Sequence, residues 1–308
     1  MPGTIAIVVA GVILLTLLGS WLAGERGRLL LPSSRKFMKG VGLRRMFRLK
    51  SLHGYIYGRW NGQYINLLVN YINPRLGPRG RKWITDRYHG KVLTHDETKA
   101  IVTINRKIPL RDLEQVIPYP MARNIVLQGP PDVTVIECGC RHARSSPSRP
   151  TQVCMAIGQP FADFMLEHHP QTSRRLRQAE ALKLLNEERK RGHMHSAWFK
   201  DACDDRFFAI CNCCKCCCGG IEAMKKYGAP FLAPSGYAAR VDKSFCTACG
   251  ACVKACPFDA ISLKGEGTAL DWSKCMGCGV CTSVCPNHAR SLVRDEGKGL
   301  PLDVRLLA

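Results

Sequence analysis

The sequence predicts an α+β protein in which an N-terminal transmembrane helix precedes a mixed middle domain and a small C-terminal domain built on cysteine. Three observations predict it. Residues Thr4 to Ala23 form one uncharged apolar run. Val133 to Glu137 reads as a short buried strand, whereas Thr172 to Gly192 reads as a charged helix with an apolar face. From Phe245 onward, eight cysteines repeat one spacing. Breaks near Ala23, Pro118 and Phe245 divide the 308 residues into 1–25, 26–117, 118–240, 241–295 and a tail at 296–308.

The N-terminal run has the length of a bilayer core, because about 20 helical residues at 1.5 Å each span roughly 30 Å. A secretory signal peptide fits less well. No basic residue precedes the run, and Trp21 stands where a cleavage site requires a small side chain. Arg26, Arg28, Arg35 and Lys36 follow closely, so the positive-inside rule predicts a single-pass protein of the inner (cytoplasmic) membrane with its C-terminal body in the cytoplasm.

The formal charge is +21, and from Arg26 to Thr94 sixteen Lys or Arg face one acid, Asp86. The run from Lys36 to Lys50 suits either anionic headgroups or a solvated charged face. Between Leu52 and Ile72, the residues Ile56, Trp60, Tyr64, Leu67, Leu68 and Tyr71 recur at helical steps, predicting an amphipathic helix that ends before Pro74. Its apolar face is expected to be core rather than a docking surface.

Eighteen cysteines invite a disulfide reading, but Cys213, Cys214 and Cys216 to Cys218 are too crowded for unstrained bridges. Thiolate ligation of metal accounts for them better. Cys246, Cys249, Cys252 and Cys256 are spaced C-x2-C-x2-C-x3-C before Pro257, and Cys275, Cys278, Cys281 and Cys285 repeat this before Pro286, 29 residues on. Two-residue gaps let a tight loop wrap three corners of a cubane, and small residues such as Ala248, Ala251, Gly277 and Gly279 let the chain approach closely. Zinc ribbons use cysteine pairs, not triplets with a distal fourth, and no C-x-x-C-H for covalent haem occurs.

Over about Val241 to Val293 the chain resembles the bacterial dicluster ferredoxins. The resemblance implies a ferredoxin-like dicluster domain with two 4Fe-4S clusters, in which each fourth cysteine serves the other cluster. One cluster would then take Cys246, Cys249, Cys252 and Cys285, the other Cys275, Cys278, Cys281 and Cys256.

Upstream, the strand ending at Glu137 delivers Cys138-Gly139-Cys140-Arg141, Cys154 follows a polar loop, and Ala209 to Gly220 holds Cys211, Cys213, Cys214, Cys216, Cys217 and Cys218. From about Ile117 to Ala233 this resembles the middle part of a group of uncharacterised 4Fe-4S dicluster proteins of anaerobic bacteria, which pair a C-x-C-R element with a C-N-C-C-x-C-C element. The resemblance covers the intervening helix, capped by Ser173 or Thr172, with Leu176, Ala179, Leu182, Leu184 and Leu185 on its apolar positions. Two further cubanes need eight thiolates and nine are present, so one or two additional 4Fe-4S clusters are expected, a zinc-bound or redox-reactive thiol patch being the alternative. Adjacent cysteines on an extended segment point to opposite sides, so Cys213 and Cys214 should serve different irons or clusters. Cys217-Cys218-Gly219 is similar to the CCG motif of heterodisulfide reductase-like proteins, a family that needs two such motifs where this chain has one. His193 and His195, after a helix end, read as ordinary surface or capping residues rather than metal ligands, the His168-His169 pair as a still weaker ligand candidate, and Cys203 as a spare thiol.

These features describe an electron carrier or electron-transfer subunit rather than a stand-alone enzyme. A reductase with an open-site cluster, or a redox-sensing or assembly subunit, are the other readings. The anchor implies the lipid bilayer and redox protein partners, such as a membrane oxidoreductase complex, and the basic stretch suits an acidic donor. No phosphate-binding loop points to a nucleotide cofactor, and no binding fold points to nucleic acid.

Overall fold

The computed structural model describes residues 2–41 and 49–307. The apolar N-terminal run forms the helix Pro2–Gly24, whose residues from Ile5 to Leu18 pack against nothing in the body. Its other end is seated. Trp21 stacks on Tyr55 at 4.8 Å, Arg59 donates to the Gly24 carbonyl, and the Glu25 carboxylate is fully buried, accepting from the Ser34 hydroxyl at 2.7 Å. The Ser34 hydroxyl also lies 2.8 Å from His168 Nε2, which joins this corner to the helix Phe161–His168.

The body is built on a nine-stranded mixed sheet with the strands β1 (Tyr88–Leu93), β2 (Ile108–Asp112), β3 (Asn124–Leu127), β4 (Val133–Glu137), β5 (Gln152–Ile157), β6 (Ser173–Leu176), β7 (Met194–Lys200), β8 (Arg206–Cys213) and β9 (Leu232–Ala233). The main path runs β6-β4-β5-β8-β7-β1-β9, with the β2-β3 pair joining at β8. Side chains alternate across a strand, so β7 and β8 serve two cores. Ala197, Phe199, Phe207 and Ile210 meet Leu93, Ile101, Ile108 and Ile125 in an aliphatic core. Met194, Trp198, Phe208 and Cys213 meet Tyr57, Phe161, Phe164 and Phe231 in an aromatic one. The helix His95–Thr103 covers the first core and begins with a capping box, in which Glu97 N–H donates to Thr94 Oγ1 and Thr94 N–H donates to the Glu97 carboxylate.

The C-terminal unit is pseudo-twofold. Strands β10 (Tyr237–Val241) and β13 (Arg290–Arg294) pair antiparallel, and β11 (Ile261–Lys264) and β12 (Gly267–Leu270) form a hairpin between two short helices, Ala251–Ala255 and Val280–Ser283. Positive φ recurs with the 29-residue offset. Ala248 matches Gly277, Gly250 matches Gly279, and Asp259 matches His288. At Gly277 a Cβ would lie 2.1 Å from the Tyr237 carbonyl oxygen, so glycine is obligatory there.

Four expectations need correction. The sheet already takes β1 and β2 from the 26–117 region, so the mixed body does not start near Pro118. The Leu52–Ile72 helix is broken at Trp60, which leaves the helical region with φ −122° and ψ 43°, and the chain then passes Pro74 without stopping. A π turn at Leu68–Ile72, with Asn73 N–H donating to Leu68 O, widens the helix before a residue that has no N–H and crowds the preceding turn. Ser173 and Leu176 lie in β6, not in a helix, because the outer edge of β4 pairs with them. The helix there is Gln178–Lys190, its N-terminal box closed by Glu180 on Arg177, while Ser173 Oγ donates to the carbonyls of Met165 and His169. The tail folds back, with Leu302 and Val304 fully buried in the aliphatic core. Within the basic Lys36–Lys50 run, Phe37 is buried against Phe161 and Phe164; residues 42–48 lie outside the described residues.

Candidate metal centres

Two cavities in the C-terminal unit are each lined by four cysteines. One collects Cys246, Cys249, Cys252 and Cys285, and the other Cys275, Cys278, Cys281 and Cys256. Each set is one C-x2-C-x2-C triplet plus the distal cysteine of the other run. The crossing follows from topology: each triplet loop leads into a short helix that carries the chain across to the other cavity, where the fourth cysteine sits. Backbone donors already point at sulfur, Ala260 N–H at Cys256 Sγ (3.3 Å) and Ala239 N–H at Cys275 Sγ (3.5 Å). Burial pushes the Cys278 thiol up, and the Cys281 thiol up to about 12. Four cysteine sulfurs lining one small cavity are the donor set of an iron-sulfur core.

In the middle domain a larger cavity lies under β5, β7 and β8, on the aromatic side, and eight of the nine expected cysteines reach its wall, all but Cys216. Their sulfur contacts divide the nine into two groups. Cys138 touches Cys140 and Cys154, Cys140 touches Cys218, Cys218 touches Cys213, Cys213 touches Cys211, and Cys211 touches Cys154. Six thiols therefore close a ring. The other three, Cys214, Cys216 and Cys217, have sulfurs within 4.8 Å of one another, with Cys216 exposed.

Local structure explains the placement. Cys138 terminates β4 and caps the helical turn Gly139–His142, which carries Cys140. Cys154 lies on β5, next to β4 in the sheet. Cys211 and Cys213 are two residues apart on β8 and share a face, while Cys214, just past the strand, joins the other group. Cys218 caps the helix Gly219–Tyr227, and a Cβ on Gly219 would lie 2.4 Å from Val69 Cγ2, so the helix packs closely beside the site.

Three polar arrangements brace these cysteines. Arg141 is 1% exposed, and its Nη2 donates to Glu188 Oε2 (3.0 Å) and to the Asn212 carbonyl between Cys211 and Cys213 (3.1 Å). The Asn212 side chain donates to the Val153 carbonyl at 2.6 Å, beside Cys154. Trp198 Nε1–H donates to Ser196 Oγ (2.9 Å), which lies 3.5 Å from Cys213 Sγ. Hydrogen bonds with Cys211 and Cys218 hold Cys213 down at about 6, whereas neighbouring thiols and burial push Cys138, Cys154 and Cys211 up. In the triad, Cys217 is held low against the effect of burial by the Ser148 N–H and its neighbouring thiols.

Sequence reasoning did not find Glu188, Ser196 or Trp198, which sit in a helix and a strand with no cysteine of their own. Asn212 and Arg141 were visible only as parts of the cysteine motifs. His193 joins the Arg141–Glu188 network through Nδ1, and His195 bonds Asn212 Oδ1 at 2.6 Å and His95 at 3.1 Å. His169 bonds the Gly58 carbonyl. Cys203 is buried on the wall of the large cavity, and among the described residues it makes no hydrogen bond to another thiol.

Residues 239–291 match the family model of the 4Fe-4S dicluster domain. This part of the chain is such a domain, and its two four-cysteine cavities fit the clusters the family implies. A search of curated proteins finds no match to the chain.

Proposed function

We propose that the chain is a membrane-anchored, cytoplasm-facing electron carrier that moves single electrons between metal sites in the middle domain and two ferredoxin-type 4Fe-4S clusters. Cys246, Cys249, Cys252 and Cys285 hold one of these clusters and Cys256, Cys275, Cys278 and Cys281 the other. The nine middle cysteines hold one or two more. Such clusters supply one-electron chemistry when bound. The protein's own part is to fix their order and seal them from water.

The observation that carries the reading is the continuity between the two regions. Phe258, Met276 and Val280, which flank the Cys256/Cys275/Cys278/Cys281 cavity, pack in the same core as Cys213, Cys218 and Trp198. Lys215, inside the cysteine-rich loop, and Lys225 both pair with Asp259, three residues after Cys256, the former at 2.7 Å. One ferredoxin site is thus docked on the middle domain. The other has Cys249 exposed and is available to a soluble partner.

The helix Pro2–Gly24 is the anchor in this reading. Trp21 and Glu25 are packed into the body, so cleavage at any bond from Trp21 to Glu25 would remove part of a folded junction, which favours a permanent anchor over a signal peptide cut there. The bilayer, an acidic donor protein and a membrane oxidoreductase complex are the partners that the anchor and the basic flank suit.

A second reading draws on the triad. Three thiolates, with Cys216 exposed, would leave one iron of a cubane without a protein ligand, which is the arrangement a reductase needs to bind a substrate.

The test is iron and acid-labile sulfide per chain on anaerobically purified protein, with EPR of the reduced sample. More than about eight irons, with a signal beyond the two interacting ferredoxin clusters, supports the relay; about eight refutes the middle-domain sites. A reduced-protein signal that shifts on adding a small thiol or disulfide would favour the reductase.

A further inference from the structure

We infer that the six-cysteine ring holds one bridged cluster, made of two cubane units joined through a shared inorganic sulfide, and that the Cys214-Cys216-Cys217 triad takes no part in it. This rests on the middle cysteines binding iron-sulfur clusters at all.

The ring is composed of two equivalent arcs. Cys154, Cys138 and Cys140 are consecutive around it and come from the β4-β5 side. Cys211, Cys213 and Cys218 are also consecutive and come from β8 and the helix after it. Each arc is one C-x-C pair plus one cysteine further along the chain. The arcs meet at Cys140–Cys218 and at Cys154–Cys211. No three ring sulfurs lie within 4.8 Å of one another, since among the described residues only the triad does so. The ring is therefore an open girdle around a cavity, not a tight knot of thiols.

Three thiolates from one side hold three corners of a cubane. Here two such sets line one cavity, so a cubane held by each would have one iron without a protein ligand. A single sulfide shared between them would complete both, and six protein thiolates are what this arrangement would require. A lone cubane would instead take four thiols from both arcs and leave two buried thiols unused beside it. Arg141 is buried against the ring, donating to the Asn212 carbonyl between Cys211 and Cys213, so a positive charge sits beside the place an anionic cluster would occupy. The triad has its own tether, with Arg144 donating to the Cys217 carbonyl at 3.2 Å and Ser148 N–H to Cys217 Sγ, and it reaches solvent through Cys216.

The experiment compares the full-length wild type with Cys138→Ser, Cys213→Ser, the double variant and Cys214→Ser, all purified anaerobically in detergent. A bridged cluster stands or falls as a unit. Each ring variant should lose about eight irons, the double variant no more than either single, and Cys214→Ser none of these. The EPR signal of the ferredoxin clusters should persist as the sign of a folded chain. Losses of about four irons per single variant, additive in the double, would mean two independent clusters and overturn the inference while leaving the relay intact. A wild type with only about eight irons would overturn both. Should the ring variants not fold, anomalous iron scattering from wild-type crystals decides: one continuous eight-iron body supports the bridge, and two separated four-iron bodies refute it.

Discussion

Arg141 Nη2 lies 3.0 Å from Glu188 Oε2, and neither side chain is more than 1% exposed. The pair joins the residue after Cys140 to the helix Gln178–Lys190, and the same nitrogen reaches the carbonyl between Cys211 and Cys213. One guanidinium therefore ties the two cysteine elements to a third, cysteine-free part of the chain.

Replacing Arg141 by Met should cost roughly 3 kcal/mol, because Glu188 loses a buried partner while retaining Arg191 and His193. Lysine should restore only part of this, since a single ammonium cannot replace the planar fork, whose Nη2 serves Glu188 and the Asn212 carbonyl while Nη1 reaches the Pro150 carbonyl. Chemical unfolding gives the stability, and iron counting should show middle-domain iron lost with ferredoxin iron kept. Full middle-domain iron in Arg141→Met would remove the residue from the site.

Ser196→Ala should lower the reduction potential of the middle-domain site, because the hydroxyl beside Cys213 Sγ stabilises the more negative, reduced state. The Trp198 N–H loses its acceptor, at about 1 kcal/mol of stability. An EPR-monitored titration would show the middle signal moving and the ferredoxin signals fixed; movement of all signals together would point to a general loosening instead.

Glu97 is 2% exposed, and burial raises its carboxyl from 4.5 to about 7. The protonated form is thus favoured in the fold. Below about pH 4.5 both folded and unfolded chains hold the proton; between about 4.5 and 7 the unfolded chain loses it first, and stability falls. Glu97→Gln keeps an acceptor for the Thr94 N–H and removes the titration. Relative to wild type it should gain roughly 1–3 kcal/mol between pH 5.5 and 7.5. Thermal unfolding at the two pH values reads the difference, and parallel behaviour of the two proteins would mean that Glu97 is ionised throughout.

Deleting residues 2–20 leaves Trp21 and Glu25 in their seats on the body. The shortened protein should move from the membrane fraction to the soluble one with its iron content unchanged. Retention in the membrane would assign binding to the basic flank, and 0.5 M salt would then release it by screening.

The sequence by itself determined the ferredoxin-type unit, because its ligands lie two or three residues apart and its repeat is visible as spacing. It also marked the apolar helix and the strand Val133–Glu137, whose signals are runs of neighbouring residues. Helix limits were less legible: Ser173 reads as a cap, yet the open edge of β4 draws it into a strand, and Pro74 reads as a stop, yet a π turn carries the helix past it. Only the tertiary structure divided the nine middle cysteines into a ring of six and a triad. That division depends on Cys154 meeting Cys211 and Cys140 meeting Cys218, contacts made where β5 and β8 pair and where the helix Gly219–Tyr227 returns to the helical turn after β4. Composition counts thiols, but only the pairing of distant strands decides which sulfurs face the same space.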